Sequence, residues 1–304
     1  MKVLVTGATG FMGRFLCPAL RARGWEVMAL GSKDADLTQA ASLDQFNQAR
    51  FDKIFHLASW TQAGDFCLHH PGEQWTINQQ INTHVLQWWA AHQRQAKLIS
   101  MGTSCSYPVD LPMQEENYLK GTPFKDLYTY AMTKRMLLVG QMAMRQQYGL
   151  DYLTAVPSTL YGPDYHTDGK QLHFIFDLIR KILAFKQSGT PMVLWGDGHQ
   201  RRELVYVEDF MDALLGLDEK VSNDVVNIGA GEDHSIRDFA ALICGIAGVD
   251  EGSITYDTAK YVGARSKVLS NAKLDALLPH RRRTTLKQGL QHTIQWMEEH
   301  YVCR

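Results

Sequence analysis

The sequence predicts an α/β fold in which a doubly wound parallel sheet is joined to a smaller, interleaved C-terminal lobe. Short apolar, β-rich runs alternate with helical patterns through the first half of the chain, and proline and glycine become frequent after Pro157. Such alternation is typical of a parallel sheet with helices on both faces. At 304 residues, the chain is also near the length at which one core stops growing, so a second lobe is expected.

The predicted elements follow the chain in a regular order. Five strands of the first sheet are predicted at 3–5, 26–30, 53–57, 97–101 and 152–156. Helical spacing falls at 11–23, 74–95 and 130–148. Strands at 204–207 and 225–228 are predicted to return to the first sheet. We therefore expect one domain of residues 1–158 plus about 204–228, and a lobe of about 159–203 plus 229–304.

Composition and charge exclude several classes of function. The chain is 45% apolar and 21% charged, with a formal net charge of -1, so no overall basic field indicates nucleic-acid binding. The single dense basic run is His280 to Arg283. We expect it to begin a solvated helix, with an anion contact as the alternative.

The cysteines indicate a reducing compartment. Five of them are widely spaced, without a CxxC pair or zinc-ligand spacing: Cys17, Cys67, Cys105, Cys244 and Cys303. We therefore expect no metal site. The first residues run directly into a strand without a signal-peptide pattern, and the longest apolar run, 239–249, is about half a membrane span. A cytoplasmic protein without membrane contact is the expectation.

A glycine-rich turn follows the first strand and opens the first helix. Gly7, Gly10 and Gly13 have the spacing GxxGxxG. Glycines at these positions permit a tight turn, close approach of a pyrophosphate and close packing of helix on strand, while the free N–H groups of the helix face the phosphates. This arrangement predicts dinucleotide binding on a Rossmann-type sheet, with a purely structural turn as the alternative.

The tip of the second strand bears on the choice of cofactor. An NAD enzyme usually has a carboxylate there for the ribose hydroxyl, whereas this chain has Ser32 and Lys33, with Asp34 slightly later. A hydroxyl and an ammonium suit a 2′-phosphate, so NADP(H) is favoured over NAD(H). Lys33 as a solvated loop lysine is the alternative. Asp36 and Leu37 fall where an adenine contact is expected.

Tyr130 and Lys134 form a YxxxK pair at the start of a predicted helix. Their spacing places both side chains on one helical face. A free tyrosine has a pKa of about 10, and a nearby ammonium favours the phenolate. Thr103 and Ser104 follow the fourth strand, where α/β sheets bind ligands, and either hydroxyl can donate a hydrogen bond to a substrate oxygen.

Together these motifs resemble the extended short-chain dehydrogenases/reductases, the NAD-dependent epimerase/dehydratase family. Within it the resemblance is strongest to the GDP-L-fucose synthases, which are 3,5-epimerase/4-reductases of a GDP-linked 4-keto-6-deoxy sugar. It covers essentially the whole chain. The runs that carry it are 103–108, 130–134, 157–163, 195–198, 202–203 and 207–209, followed by Lys267.

The resemblance implies three sets of site residues. The catalytic set is Thr103, Cys105, Tyr130, Lys134 and His173. The cofactor set is Gly7, Thr9, Gly10, Phe11, Met12, Gly13, Ser32, Lys33, Asp36, Leu37, Leu57, Ala58, Ser59, Tyr130, Lys134, Pro157 and Leu160. The substrate set is Thr103, Ser104, Cys105, Thr159, His173, Lys181, Trp195, Arg202 and Lys267.

Cys105 and His173 match the family's epimerisation pair. Ordinary pKa values of about 8.5 for cysteine and 6.5 for histidine suit proton transfer at carbons next to a ketone. Taken alone, each is more often a packed structural residue. The chain departs from the family at Thr103, Thr159 and Lys181, which replace a serine, an asparagine and an arginine. The segment 59–66, with Trp60, also differs, and all but the Thr103 change concern the substrate.

The resulting hypothesis is an NADPH-dependent epimerase/4-ketoreductase of a GDP-linked 4-keto-6-deoxy sugar that serves polysaccharide biosynthesis. The alternatives are a simple 4-ketoreductase of another nucleotide sugar such as a GDP-heptose, an NAD-dependent 4-epimerase, and a cofactor-sensing protein with an inactive site. Apolar surfaces on the helices at 74–95 and 130–148, together with the resemblance, predict a homodimer through a four-helix bundle.

Overall fold

The computed structural model describes residues 1–64, 66–260 and 266–302, so Cys303, one of the five cysteines, lies outside the described residues. Its strands are β1 Lys2–Thr6, β2 Glu26–Leu30, β3 Lys53–His56, β4 Lys97–Met101, β5 Tyr152–Pro157, β6 Thr159–Tyr161, β7 Met192–Trp195, β8 Arg201–Arg202, β9 Leu204–Tyr206, β10 Asp224–Ile228, β11 His234–Ser235 and β12 Ile254–Asp257. Its helices are α1 Phe11–Ala22, α2 Phe66–His69, α3 Pro71–His92, α4 Tyr128–Tyr148, α5 Phe174–Ser188, α6 Val207–Lys220, α7 Ile236–Ala247, α8 Ala272–Leu277 and α9 Leu286–Met297.

A six-stranded parallel sheet forms the centre of the molecule, in the order β10-β5-β4-β3-β1-β2. The order reverses beside β1, which is the topology of a doubly wound, Rossmann-type sheet. Val3, Leu4 and Val5 of the central strand have no exposed surface. Their β-branched and apolar side chains suit a strand that is covered on both faces.

Two helical layers cover the sheet. One apolar core packs α1 and α6 against one face, and a second packs α3 and α4 against the other. Helix α4 ends at Gly149, which has φ +74, a left-handed conformation that glycine adopts without a steric penalty. The alternation of apolar strands and amphipathic helices therefore gives the predicted fold class.

A third apolar core lies outside the sheet and belongs to the smaller lobe. It is formed mainly by α5, α7 and α9, together with the short strands β7 and β9. Three two-stranded sheets accompany it: β6 with β9, β7 with β12, and β8 with β11. The segments of this lobe are interleaved with β10 in sequence, because the chain returns once to the main sheet.

Two predictions are wrong: that the strand at 204–207 joins the main sheet, and that residues 280–283 begin a helix. Residues 225–228 join the main sheet as predicted, but Leu204–Tyr206 pairs with Thr159–Tyr161 in a separate sheet. The position beside β5 is already occupied by β10, so β9 does not pair with β5. Residues 280–283 begin no helix, since α9 starts at Leu286, and their arginines form ion pairs with acidic side chains.

Two helix starts also differ from the prediction. Helix α3 begins at Pro71 rather than Gln74, because the fixed φ of proline suits the first helical position. Helix α4 begins at Tyr128, two residues before Tyr130, so the YxxxK pair lies within its first two turns. In the described ranges, no helix is long and apolar enough to span a bilayer.

Candidate active site

The glycine turn leaves space that side chains would fill. Gly7 has φ +67, and a Cβ there would lie 2.7 Å from the Ala58 backbone nitrogen. A Cβ on Gly13 would lie 2.5 Å from Ala8 Cα. The first main-chain bond of α1 runs from Arg14 N to Gly10 O at 3.0 Å, so the N–H groups of residues 11–13 have no partner in the helix. The structure therefore fits a pyrophosphate at this turn.

The other predicted cofactor residues lie along the same edge of the sheet. Leu57 and Ala58 follow β3, where their backbone nitrogens donate to Thr6 O at 3.2 Å and Thr6 Oγ1 at 3.3 Å. Ser59 comes next, and its hydroxyl donates to Asn78 Oδ1 at 2.9 Å. Pro157 ends β5 and Leu160 lies in β6. Phe11 packs edge-on against Tyr165, with ring centres 5.1 Å apart, while Met12 packs on the core that contains α1.

The tip of β2 presents a lysine rather than a carboxylate. A Cβ on Gly31 would lie 2.8 Å from Thr9 Cγ2, so this tip contacts the glycine turn. Asp34 Oδ2 accepts from Gly31 N at 2.8 Å and is thereby held by its own turn. Ser32 and Lys33 are exposed, and Lys33 forms no ion pair with any described residue. The tip therefore fits a 2′-phosphate.

The two residues predicted to contact adenine, Asp36 and Leu37, already make contacts within the protein. Asp36 Oδ1 accepts from Thr38 N at 3.0 Å and from Thr38 Oγ1 at 2.7 Å. The Leu37 side chain is buried in the core beneath α3. A base bound here would contact the edge of this turn rather than the tip of the Leu37 side chain.

Tyr130 and Lys134 lie on one face of α4, beside Thr103. Lys134 is buried, its Nζ lies 6.0 Å from the centre of the Tyr130 ring, and burial lowers its pKa to about 8. Burial raises the pKa of Tyr130, while a side-chain hydrogen bond with Thr103 lowers it. Thr103 Oγ1 also accepts from Cys105 N at 3.3 Å. The structure thus brings together the hydroxyl, the phenol and the ammonium that the sequence predicts.

Two residues that the sequence analysis missed hold this group in place. Arg135 is buried and donates to the backbone carbonyls of Ser106, Lys120 and Gly121. The hydroxyl of buried Tyr118 accepts from Thr103 N at 3.2 Å. For Arg135, the available signal was an arginine directly after Lys134, on a buried part of the helix. These contacts fix the 103–106 turn relative to α4.

Cys105 and His173 both interact with Lys267. Lys267 Nζ lies 3.6 Å from Cys105 Sγ. His173 begins α5, and its Nδ1 accepts from Phe174 N at 3.2 Å. Burial, and then the positive charges of Lys267 and Arg202, lower the pKa of His173 to about 4. A thiol and a neutral imidazole therefore both face the side of the site that contains Lys267.

Glu203 is a further residue whose role the sequence did not reveal. Its carboxylate is buried and accepts from Gly231 N at 2.9 Å and from Leu269 N at 3.0 Å. The Ser158 hydroxyl donates to the Glu203 carbonyl at 2.9 Å. Glu203 therefore joins β8 and β9 to the end of β5, to the turn after β10 and to the segment that bears Lys267.

The remaining predicted substrate residues are less concentrated. Lys181 Nζ donates to Val193 O and pairs with Asp177 Oδ2, both at 3.1 Å. Trp195 is 54% exposed at the end of β7, with Lys260 Nζ 5.8 Å from its ring centre. Thr159 begins β6, and Ser104 is half-buried beside Cys105. The site therefore has a compact catalytic part and a more open part on the lobe.

Residues 59–64 and 66–70 form a segment that is held against helix α3 by two buried amides. Asn78 Oδ1 accepts from Trp60 N at 2.9 Å, and its Nδ2 donates to Trp60 O at 2.9 Å. Gln74 Nε2 donates to Cys67 Sγ at 3.3 Å. The Trp60 and Phe66 rings lie 4.8 Å apart. Cys67 contributes to the electrostatics of both Tyr130 and Cys105, which places this segment beside the catalytic group.

Comparison with known proteins agrees with this geometry. The sequence profile of the NAD dependent epimerase/dehydratase family matches residues 3–229. The chain belongs to this family. In the family context, the parallel sheet, the glycine turn and the YxxxK pair are parts of one nucleotide-dependent enzyme. Among the described residues, no cluster of three His, Cys, Asp or Glu side chains could hold a metal ion.

Relatives within the NAD dependent epimerase/dehydratase family match nearly the full chain. A GDP-L-fucose synthase of Sinorhizobium fredii is 30% identical, covering 95% of this chain and 93% of its own length. A GDP-L-colitose synthase of Yersinia pseudotuberculosis is 28% identical, covering 97% of each chain. A solved GDP-L-fucose synthetase of Naegleria fowleri bound to NADP has a TM-score of 0.88 and 26% identity, covering 99% of this chain and 93% of that one.

Proposed function

We propose that this chain is an NADPH-dependent epimerase/4-ketoreductase acting on a GDP-linked 4-keto-6-deoxy sugar. One observation carries the proposal: the Tyr130–Lys134–Thr103 group and the Cys105 thiol lie together, and Lys267 connects that thiol electrostatically to His173. Simple reduction requires only the first group. Relatives named GDP-L-fucose synthase and GDP-L-colitose synthase, both full-length matches, support the same substrate class.

The chain's own residues bind and orient the carbonyl for reduction. The glycine turn and Lys33 would hold NADPH, whose 2′-phosphate suits the lysine, and the cofactor would supply hydride to C4 of the sugar. Thr103 and Tyr130 donate hydrogen bonds to O4, and Tyr130 then transfers its proton to that oxygen. Lys134 binds the nicotinamide ribose, and its positive charge favours the tyrosinate that remains after proton transfer. Lys134 is buried and Tyr130 is partly buried, so the protein itself already shields much of this pair from water.

Cys105 and His173 exchange protons at carbons next to the ketone. The C4 carbonyl makes the adjacent C–H bonds acidic, so one group removes a proton from C5 and the other returns a proton to the opposite face. The same pair acts on C3 if both centres invert. The lowered pKa of His173, about 4, keeps its imidazole neutral at physiological pH in the ligand-free protein.

The nucleotide diphosphate binds to the open part of the site on the lobe. Arg202 and Trp195, at the ends of β8 and β7, provide a guanidinium and an exposed aromatic face. Lys181 stands near β7 but is already paired with Asp177. Lysine lacks the fork of arginine that binds two phosphate oxygens at once, so its contribution to phosphate binding is the smaller one. Thr159 contacts the same part of the substrate through its hydroxyl.

The protein forms a homodimer through α3 and α4. Five apolar side chains on these helices are 38–46% exposed, although their neighbours are packed on the sheet: Trp75, Tyr128, Met136, Val139 and Met142. An apolar groove of about 380 Å³ lies between the starts of the two helices. Exposed apolar surface of this extent is typical of an interface, and two such helix pairs make a four-helix bundle.

The domains divide the work in this proposal. Residues 1–158 with about 204–228 bind the dinucleotide, and about 159–203 with 229–304 bind the nucleotide sugar. We place the enzyme in the cytoplasm, in polysaccharide biosynthesis, because the substrate is an activated sugar and few cysteines are present.

A substrate panel tests the function. Purified protein is incubated in deuterated water with NADPH and GDP-, UDP-, CDP- or dTDP-linked 4-keto sugars, and products are analysed by NMR. The expected result is turnover of the GDP-linked 4-keto-6-deoxy sugar, with deuterium at C5. Reduction without deuterium at C3 or C5 would remove the epimerase half and leave a simple 4-ketoreductase. Turnover of a UDP-, CDP- or dTDP-linked sugar without turnover of the GDP-linked sugar would contradict the proposed substrate.

A further inference from the structure

The Lys267 ammonium lies beside the Cys105 thiol rather than beside a carboxylate. Its Nζ is 3.6 Å from Cys105 Sγ and 5.9 Å from the centre of the Phe124 ring. Within 1–64, 66–260 and 266–302, no acidic side chain forms an ion pair with it. Among the described residues, Lys267 therefore contacts a thiol and an aromatic ring but no carboxylate.

The position of Lys267 is set by the backbone that follows it. Leu269 N donates to the buried Glu203 carboxylate at 3.0 Å, and Ser270 N donates to Met113 O at 3.0 Å. The Leu269 side chain is also buried. Two hydrogen bonds and one buried side chain, all within three residues of Lys267, hold its backbone in place. The fold thus holds the Lys267 backbone at a position from which its ammonium reaches Cys105.

Other groups that face Cys105 are neutral or already occupied. Tyr130 lies on α4, Tyr118 lies beside the 103–106 turn and Cys67 lies on α2; each interacts electrostatically with Cys105. Arg135, the nearby cation on α4, donates to three backbone carbonyls, including Ser106. Lys267 is therefore the cation placed to compensate a negative sulfur.

The positive charge of Lys267 also reaches His173. Burial contributes most to the lowered pKa of His173, followed by the charges of Lys267 and Arg202. The ammonium therefore disfavours the protonated imidazole of His173, and it lies 3.6 Å from the Cys105 thiol. One cation thus reaches both members of a pair that must exchange protons across one carbon atom.

We propose that Lys267 is a catalytic residue of the epimerisation step, as the cation that stabilises the thiolate form of Cys105. This inference rests on the proposed function for the identity of the reaction. If His173 is the base, it takes the proton from C5, the C–H electron pair moves onto the C4 carbonyl oxygen, and the Cys105 thiol then protonates C5 from the other face. If Cys105 is the base, the same transfers run in reverse. Whichever residue is the base, Cys105 is a thiolate once in each inversion, either after it donates its proton or before it accepts one, and Lys267 lies beside it.

Thiol reactivity in the free protein tests the contact without substrate or cofactor. The rate at which iodoacetamide alkylates Cys105, followed by mass spectrometry of its peptide, is measured against pH for wild type, Lys267→Gln and Lys267→Arg. Because the thiolate is the nucleophile, we expect Lys267→Gln to slow alkylation near pH 7 by about tenfold, and Lys267→Arg to restore most of the rate. Lys186→Gln, which removes an exposed lysine paired with Glu298, should match wild type.

Proton exchange at the sugar provides the second measurement. Deuterium uptake at C3 and C5 of GDP-4-keto-6-deoxymannose in deuterated water is followed with NADP⁺ present, so that no reduction takes place. Lys267→Gln should lower the maximal exchange rate at least about tenfold while changing KM little. A raised KM with unchanged maximal exchange would assign Lys267 to diphosphate binding and overturn the proposal. Thermal melting of each variant shows that it is folded.

The two proposals fail in distinguishable ways. If wild type incorporates no deuterium but Lys267→Gln slows the alkylation of Cys105, the epimerase function is wrong and the thiolate contact stands. If wild type incorporates deuterium and Lys267→Gln alkylates as fast as wild type across the pH range, the role of Lys267 is wrong and the epimerase function stands.

Discussion

Lys134 Nζ lies 6.0 Å from the centre of the Tyr130 ring, one turn further along α4, and both side chains face the Thr103 hydroxyl side of the sheet. This arrangement joins an acid with a raised pKa to a cation whose pKa burial has lowered. Each of the two groups therefore makes a separate prediction.

Replacing Tyr130 by phenylalanine removes the proton donor to O4. Proton transfer from a positioned side chain contributes about 10²- to 10⁴-fold to a rate, so kcat for NADPH oxidation should fall by that factor while KM for NADPH stays near wild type. Tyr128→Phe, at the exposed start of the same helix, is the matched control. A Tyr130→Phe variant with more than a tenth of the wild-type kcat would show that another group protonates O4.

Lys134 makes the free protein less stable at neutral pH. Its pKa falls from 10.5 to about 8 on folding because burial disfavours the charge. Between these values the unfolded chain binds more protons than the folded one, so stability rises with pH across that window. Lys134→Met should therefore unfold at higher urea concentration at pH 7, with a gain of about 3 kcal/mol, and the gain should vanish above about pH 10.5.

The control for this change is Lys125→Met, which alters an exposed lysine just before α4. It should have no comparable effect on the free energy of unfolding at any pH. Equal urea midpoints for wild type and Lys134→Met at pH 7 would mean that other interactions in the folded protein offset the cost of burying the Lys134 ammonium. Catalysis should be lost in Lys134→Met whatever its stability.

Lys33 should decide between the two dinucleotides. Lys33→Glu replaces the cation at the tip of β2 by an anion that repels a 2′-phosphate and accepts from a ribose hydroxyl. We expect KM for NADPH to rise at least about tenfold and KM for NADH to stay unchanged or fall. Lys186→Glu, far along α5, is the charge-matched control. An unchanged NADPH preference would place the phosphate elsewhere.

The apolar faces of α3 and α4 should hold two subunits together. Met136→Lys inserts a charge at the centre of the exposed face of α4, and sedimentation velocity should then give half the wild-type mass. Val193→Lys changes a similarly exposed apolar residue on β7 and should leave the mass unchanged. A monomeric wild type, or a Met136→Lys variant with undiminished mass, would rule out this interface.

A buried charge cluster at the opposite edge of the sheet should contribute only to stability. The Asp218 side chain has no exposed surface and pairs with both Lys53 and Lys97. Asp218→Ala leaves two half-buried ammonium groups without a counter-charge and should lower the free energy of unfolding by about 3 kcal/mol. Glu26→Gln, which breaks the exposed pair with Lys2, should change it by less than about 1 kcal/mol. Urea titration measures both, and a change of KM in Asp218→Ala would contradict a purely structural role.

Periodicity and glycine spacing were sufficient to predict the central sheet. Apolar runs such as 3–5 and a turn like that at Gly7 are local signals, since neighbouring residues determine them. The partner of β9 was not predictable from its own residues, because it depends on which strand already occupies the edge of β5. Strand pairing of this kind is a property of the whole topology.

The candidate site divides in the same way. Tyr130, Lys134 and the glycine turn carry motifs and were predicted at their positions. Arg135 and Tyr118 have no motif of their own, and the motif that contains Glu203 does not reveal its role. The importance of all three comes from backbone groups distant in sequence that they bind. The contact of Lys267 with Cys105 spans 162 positions, and no spacing rule relates two such residues.

The hydrogen bonds of Arg135 to the carbonyls of Ser106, Lys120 and Gly121 join the catalytic helix and the hydroxyl-bearing turn into one rigid unit. The segment of residues 59–64 and 66–70 is held by other contacts, with Asn78 and Gln74 of α3. Evolution can therefore exchange the aromatic residues of that segment without disturbing the acid, the hydroxyl or the thiol. A lineage of such enzymes can change the sugar it accepts while it keeps its chemistry, and Trp60 is where such a change should first be sought.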